Sequence, residues 1–187
     1  MLRGGPALIT IADRLEQTFA ERGFEFQTSD EIPDSIAECE IAVVAAHGSI
    51  LPEGRYIQRI SNDSDLSLYP SVLANALPRS TIVVLFICSG GRLDSHRMSE
   101  TAIGLVSQLM DEGCGTVIAS PWPLDTRVPS HWLPAFFEEW DAGKPVIKAT
   151  FVANEYVSRQ MGDSPAVALA MNVFGDPLRR KLKTLQH

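Results

Sequence analysis

The sequence predicts an α/β protein with a mostly parallel central sheet flanked by helices, and three observations predict it. Thr81-Ile-Val-Val-Leu-Phe-Ile-Cys88 is an unbroken apolar run closed by Ser89-Gly90-Gly91, the pattern of a strand buried on both faces. Ile41-Ala-Val-Val-Ala-Ala-His47-Gly48 has the same form. Around these runs, short apolar strands alternate with amphipathic helical stretches, the order that builds parallel sheets with helical crossovers.

Met1 to Pro6 is short and Gly-rich, without a strand of its own. From Ala7 to about Arg22, Leu8, Ile11, Leu15 and Phe19 recur at helical spacing, and Gly23 is a stop signal. Phe24 to Thr28 reads as a short strand, and Asp30 to Glu38 as a brief helix feeding the Ile41 strand. Ser49 to Asp65 reads as irregular, a loop at the carboxyl end of a strand and so a border of any site there. Leu66 to Leu77 holds an apolar pattern with Pro70 near a helix start, and it leads to the Thr81 strand.

After the polar loop Arg92 to Arg97, Ser99 is placed to cap a helix with Glu100 in its first turn. Ile103, Val106, Leu109 and Met110 would line one face of it before Gly113. Thr116 to Ser120 is the next strand, followed by the loop Pro121-Trp-Pro-Leu-Asp125. Ser130 can cap a helix in which Trp132, Phe136, Phe137 and Trp140 repeat near helical spacing, a stripe read as core. Gly143-Lys-Pro145 opens another helix, with Ala149, Val152, Ala153 and Tyr156 on its apolar side. Val167 to Phe174 reads as a last strand, closed by Gly175-Asp-Pro.

The chain has 187 residues, 45% of them hydrophobic, enough for a substantial core in one domain. Its formal net charge of −7 argues against nucleic-acid or anionic-membrane partners, which need a cationic field. The basic run Arg179-Arg180-Lys181-x-Lys183 reads as a solvated tail. No apolar run approaches the ~18 residues needed to span a bilayer, and no signal-peptide core stands at the N-terminus. A cytoplasmic protein is therefore expected. Three cysteines, Cys39, Cys88 and Cys114, form no CxxC pair and no zinc-ligand spacing, so neither a metal nor a disulfide framework is predicted.

Chemistry concentrates at two strand ends. In open α/β sheets ligands bind outside the carboxyl ends of the strands, and His47 and Cys88 stand at two such ends, each followed by glycine-containing turns. A thiol attacks a carbonyl as thiolate, and an adjacent imidazole can take and return the proton. Alone, Cys88 would read as a small buried hydrophobe, as Cys39 and Cys114 do; paired with His47 it reads as a nucleophile. His96 and His131 read as surface residues. Asp125 is open between substrate contact and an Asx-turn capping the next helix. Neither GxGxxG nor GxxxxGK[ST] occurs, which weakens a nucleotide-binding alternative.

These motifs, in this order, resemble the CHAT domain of the caspase-like cysteine peptidases, relatives of separase, the gingipains and the caspases. The resemblance spans residues 36–177: a strand ending His-Gly, a second ending Cys-Ser-Gly, a helix, Gly-x-Gly-Thr-Val-Ile-Ala-Ser-Pro-Trp-Pro-Leu-Asp, an aromatic helix and Gly-Lys-Pro. Cys88-Ser89-Gly90 fits the Cys-x-Gly of the caspase signature, with Ile87 in place of its alanine. The resemblance implies a caspase-like three-layer sandwich in which His47 is the catalytic histidine and Cys88 the nucleophile. It further implies an oxyanion hole from the backbone N–H groups of Gly48 and Cys88, and substrate contacts from Ser120 and Asp125, the latter receiving a basic P1 side chain.

The resemblance also implies a cysteine endopeptidase that needs no cofactor and acts on a protein or peptide partner. A catalytically silent interaction module, or a zymogen in a signalling or defence complex, is the alternative. One departure stands out: caspase-like folds begin with a strand, and no apolar run precedes Ala7. The expectation is that residues 1–187 are one domain from the C-terminal part of a longer protein, with the missing strand supplied upstream or absent. An upstream repeat or sensor domain, or an activating partner, is accordingly expected.

Overall fold

The structure, a computed structural model, describes residues 15–22, 39–50, 56–59, 67–68, 70–77, 82–88, 94–95, 102–162 and 171–181. The predicted strand at Phe24 to Thr28, the brief helix at Asp30 to Glu38 and residues 7–14 of the first helix lie outside these residues.

The sheet forms where apolar runs are too continuous to leave either face in water. Strand β4 (Ile82–Ile87) is buried at all six positions. Strand β1 (Ile41–Ile50) runs parallel to it on one side, in the register Ile41↔Ile82 to Ala46↔Ile87. Strand β7 (Thr116–Ala119) runs parallel to it on the other, from Ile82↔Thr116 to Leu85↔Ala119. The last strand, β8 (Asn172–Gly175), closes this open four-strand unit antiparallel to β7. The molecule is thus mixed α/β with a four-strand, mostly parallel sheet.

Beyond its last pair with β4, β1 continues and pairs antiparallel with β2 (Tyr56–Arg59), which pairs with β3 (Ser67–Leu68). Among the described residues, the strand order is β3-β2-β1-β4-β7-β8. The stretch from Ser49 to Asp65, read from sequence as irregular, therefore contains the end of β1 and a paired strand; its polar residues gave none of the apolar alternation that marks a half-buried strand. A separate two-stranded ribbon joins β5 (Asp94–Ser95) to β6 (Ala102–Ile103).

Strict alternation along β1, β4 and β7 divides the core in two. Ile41, Ala45, Ile82, Val84, Phe86 and Ile118 enter one apolar cluster; Ala42, Ala46, Val83, Leu85, Ile87, Val117 and Ala119 enter the other. Helices α2 (Pro70–Ala76) and α3 (Leu105–Asp111) lie in the crossovers β1 to β4 and β4 to β7 and contribute Leu73, Ala74, Leu105, Val106 and Leu109 to the second cluster. Both crossovers cover the same face, as right-handed connections advancing in one direction must.

The opposite face is covered by α4 (Val128–Asp141) and α5 (Val146–Met161), with Leu15 and Phe19 from α1 (residues 15–20). As expected, Trp132, Phe136, Phe137 and Trp140 are core, all essentially inaccessible. Trp132 stacks on Phe136 at 4.8 Å and meets Phe86 of β4 edge-on at 5.8 Å. Two backbone N–H groups at the start of α5 are satisfied by the chain after β8, Val146 N–H donating to Arg179 O (2.8 Å) and Ile147 N–H to Pro177 O (3.1 Å).

Several boundaries differ from the sequence reading. Helix α3 begins after Gly104, so neither Ser99 nor Glu100 belongs to its start. Ile103 lies in β6 instead: it keeps the apolar period, but Gly104 after it is a poor helix residue and interrupts the backbone there. Met110 is exposed, as is Tyr156 on α5. Helix α4 starts at Val128 with Arg127 before it, and Ser130, inside the first turn, donates its hydroxyl to Arg127 O at 3.0 Å. Gly113 ends α3 with a φ of 100°. The bonds Gly113 N–H to Met110 O and Cys114 N–H to Leu109 O, each 3.0 Å, complete a Schellman closure that turns Cys114 into the core. Among the described residues, no helix is long and apolar enough to cross a membrane.

Candidate active site

Parallel pairing among the three adjacent strands ends at Ala46↔Ile87 between β1 and β4 and at Leu85↔Ala119 between β4 and β7. Because Ala46 is paired with Ile87, the next positions along the two strands are His47 and Cys88. The β-run preceding each residue sets this juxtaposition: six consecutive paired residues on each strand leave no slack for a register slip, which would exchange the two faces of the core. By strand parity, position 88 belongs with Phe86 to the aromatic face. Position 47 shares the parity of Ala45.

Strand β4 stops pairing at Ile87, and Cys88 stands in the turn that follows, half-buried. None of the three cysteines is in a disulfide. The Cys88 thiol points at the carbonyl of Leu124, Sγ to O being 4.0 Å, the outer limit of a sulfur hydrogen bond. That contact brings the loop after β7 against the end of β4. Strand β1, in contrast, does not stop: His47 is opposite Arg59 and Gly48 opposite Gln58 in the antiparallel pair with β2. The backbone of Gly48 is therefore held in extended structure one residue beyond His47.

The 120–125 loop is fixed from within. Ser120 is completely buried, and its hydroxyl donates to Trp122 O (3.0 Å) and accepts from Trp122 N–H (3.1 Å). Its polar atom is thus engaged by the turn it sits in, and the turn carries Trp122 outward, 52% exposed. Leu124 packs against the aromatic cluster. Asp125 then accepts the N–H of Arg127 on Oδ1 (2.9 Å), an Asx-turn leading into α4. Its carboxylate also holds the Arg127 guanidinium, Nε on Oδ1 at 3.0 Å and Nη2 on Oδ2 at 2.8 Å. These hydrogen bonds keep the Asp125 carboxyl below the usual carboxylate range, against the opposing effect of partial burial.

The structure thus brings His47, Gly48, Cys88 and the 120–125 loop to one end of the sheet by strand order. Sequence reasoning missed two participants. The Leu124 carbonyl has no signal of its own in a sequence. Arg127 did have one, since an Asp-x-Arg spacing just ahead of a helix places a guanidinium within reach of its own Asx-turn. His96 lies outside the described residues, and His131 is half-buried on α4. Cys39 and Cys114 belong to the other face: Cys114 is buried and donates to Leu77 O at 3.4 Å, and Cys39 packs against that cluster. Burial pushes the Cys114 thiol up, with Cys39 and Glu112 adding to it. Among the described residues, no group of three or more His, Cys, Asp or Glu is arranged to hold a metal ion. No protein-family model matches the sequence, and comparison with curated proteins gives no significant match.

Proposed function

We propose that the chain is a cysteine endopeptidase of the caspase-like, CHAT-domain type, its sheet and helices forming the three-layer sandwich of that family. The observation that carries the reading is the last parallel pair of β1 and β4, Ala46↔Ile87, after which the next residues are His47 on the continuing β1 and Cys88 in the turn after β4. That is where an open α/β sheet offers a crevice for a ligand. The rest of the family order, including the loop at Ser120 and Asp125, adds the support of the sequence resemblance.

In this reading the Cys88 thiol gives its proton to His47, and the thiolate sulfur bonds to the carbonyl carbon of the scissile peptide. The carbonyl electron pair moves onto oxygen, where the N–H groups of Gly48 and Cys88 stabilise it. Collapse of this intermediate breaks the C–N bond, and His47 returns the proton to the leaving amine. Water then hydrolyses the resulting thioester, releasing the carboxylic acid and restoring the thiol. Losing one oxyanion donor from such a site typically lowers turnover ~10²–10³-fold. Asp125 receives a lysine or arginine at P1, and Ser120 holds the loop that presents it.

The test is intact-mass labelling with peptidyl electrophiles carrying arginine, lysine, aspartate or leucine at P1. A single adduct on Cys88, fastest with the basic probes and lost in Cys88→Ala and His47→Ala, is the expected result. Labelling that survives in His47→Ala at the wild-type rate would overturn the dyad. One observation favours the silent-module alternative: the Asp125 carboxylate is already occupied by Arg127. Partner capture by a wild-type protein that neither labels nor cleaves would support that alternative.

A further inference from the structure

We infer that Arg127 is an internal competitor for the Asp125 carboxylate, so that a basic P1 side chain enters the site by displacing it. The inference rests on the peptidase reading above. Among the described residues, the three donors that reach Asp125 all come from residue 127: its backbone N–H, Nε and Nη2. The last two form the two-pronged guanidinium fork that an arginine substrate would itself present to a carboxylate. Asp125 follows Leu124, whose carbonyl contacts the Cys88 thiol, so the loop that carries the occupied acid touches the proposed nucleophile one residue before it.

The geometry separates two roles. The backbone N–H of Arg127 keeps the carboxylate aimed whatever its side chain does, because it belongs to the Asx-turn. The guanidinium is 62% exposed, so it can leave Asp125 for water without stranding a buried charge. Asp125 is 33% exposed and is therefore open to an incoming cation from the solvent side. In the resting protein the pair is neutral, which mutes the attraction for basic residues without abolishing it. Breaking an exposed ion pair is a small penalty, so the preference for a basic over a neutral P1 residue is reduced about two- to fivefold.

The test compares wild type, Arg127→Gln, Asp125→Asn and the double variant. Glutamine keeps the backbone N–H and most of the stem but removes the cation. The first readout is the ratio of Cys88 labelling rates for arginine and leucine probes. The second is calorimetric binding of uncleavable arginine and leucine peptides to the same four proteins carrying Cys88→Ala. Arg127→Gln should raise the arginine-to-leucine ratio about two- to fivefold in both readouts, and the rise should vanish in the Asp125→Asn background. An unchanged ratio, or an equal rise when Asp125 is asparagine, overturns the inference. If no probe labels Cys88 but the Asp125-dependent gain in arginine-peptide binding persists, the peptidase reading fails and the competition stands; loss of both overturns both.

Discussion

The two faces of the sheet are built from different side chains, and each holds one of the chain's contrasting cysteines. The face under α4 and α5 is aromatic: Phe86, Trp132, Phe136, Phe137 and Trp140 interlock, with stacked and edge-on rings. The face under α2 and α3 is aliphatic, with small Ala42, Ala46, Ala74 and Ala119 among leucines, valines and isoleucines. Cys114 sits inside the aliphatic face. Cys88 stands at the rim of the aromatic one, in a turn, against a loop anchored to the same rings through Leu124. The difference teaches that strand position and burial separate the two thiols: Cys114 is enclosed as a packing group, whereas Cys88 is half-buried in a turn at a strand end, the setting the proposed chemistry needs.

The largest expected effect comes from breaking the aromatic face. Trp132 is inaccessible, touches Phe86 and Phe136, and donates Nε1–H to Asn154 Oδ1 at 2.8 Å; Asn154 in turn donates to Met171 O at 2.8 Å. Trp132→Ala should destabilise the protein by about 3–5 kcal/mol in urea unfolding, from lost packing and the cavity left behind. Trp132→Phe, which keeps most of the ring contact and orphans Asn154 Oδ1, should lose only about 1–3 kcal/mol. Equal losses would mean that the hydrogen bond, rather than the ring stack, holds α4 on the sheet.

A smaller effect separates the two cysteines. Cys114→Ala removes a buried sulfur and leaves Leu77 O without its donor, so about 1–2 kcal/mol should be lost. Cys88→Ala should lose less than Cys114→Ala, because the Cys88 thiol is half-buried in a turn rather than enclosed in the core. A comparable loss in both would remove the distinction between an enclosed cysteine and one at a strand end.

Much of this was legible before any coordinates. The strands β1, β4 and β7 were readable because a strand buried on both faces has no polar break, and the stripe Trp132, Phe136, Phe137 and Trp140 because helical period and aromatic bulk agree. The neighbouring positions of His47 and Cys88 follow from the parallel pairing of these two runs. The start of α3 was misplaced because Ile103 keeps the helical period although Gly104 interrupts the backbone. Strand β2 was missed because its partner is the tail of β1, a pairing that depends on register between segments and leaves little local pattern. The Asp125–Arg127 fork is half legible: the Asx-turn and the Asp-x-Arg spacing put a guanidinium within reach, but whether it turns back onto the carboxylate depends on a side-chain direction that spacing leaves open.

The smallest effect lies at the outer rim of the aromatic face, where α1 is tied to the end of α4. Arg22 pairs with Asp141 Oδ2 and stands over the Phe137 ring at 4.9 Å, while Lys181 Nζ reaches Asp141 Oδ1 at 2.8 Å. Burial works to raise the Asp141 carboxyl, but the hydrogen bonds and charges of Lys181 and Arg22 outweigh it and hold the group below the usual range. A carboxyl lowered in the folded state adds stability above its unfolded value near ~3.9, and that contribution is lost as pH falls through the lower folded value. At 39% exposure the pair is screened, so Asp141→Asn should lose no more than about 1 kcal/mol at neutral pH and less in high salt. Urea midpoints of the two proteins should therefore differ at pH 7 and converge in acid. A difference that persists below the folded value would assign the loss to packing of α1 on Phe137 rather than to charge, and would make the rim a continuation of the aromatic core.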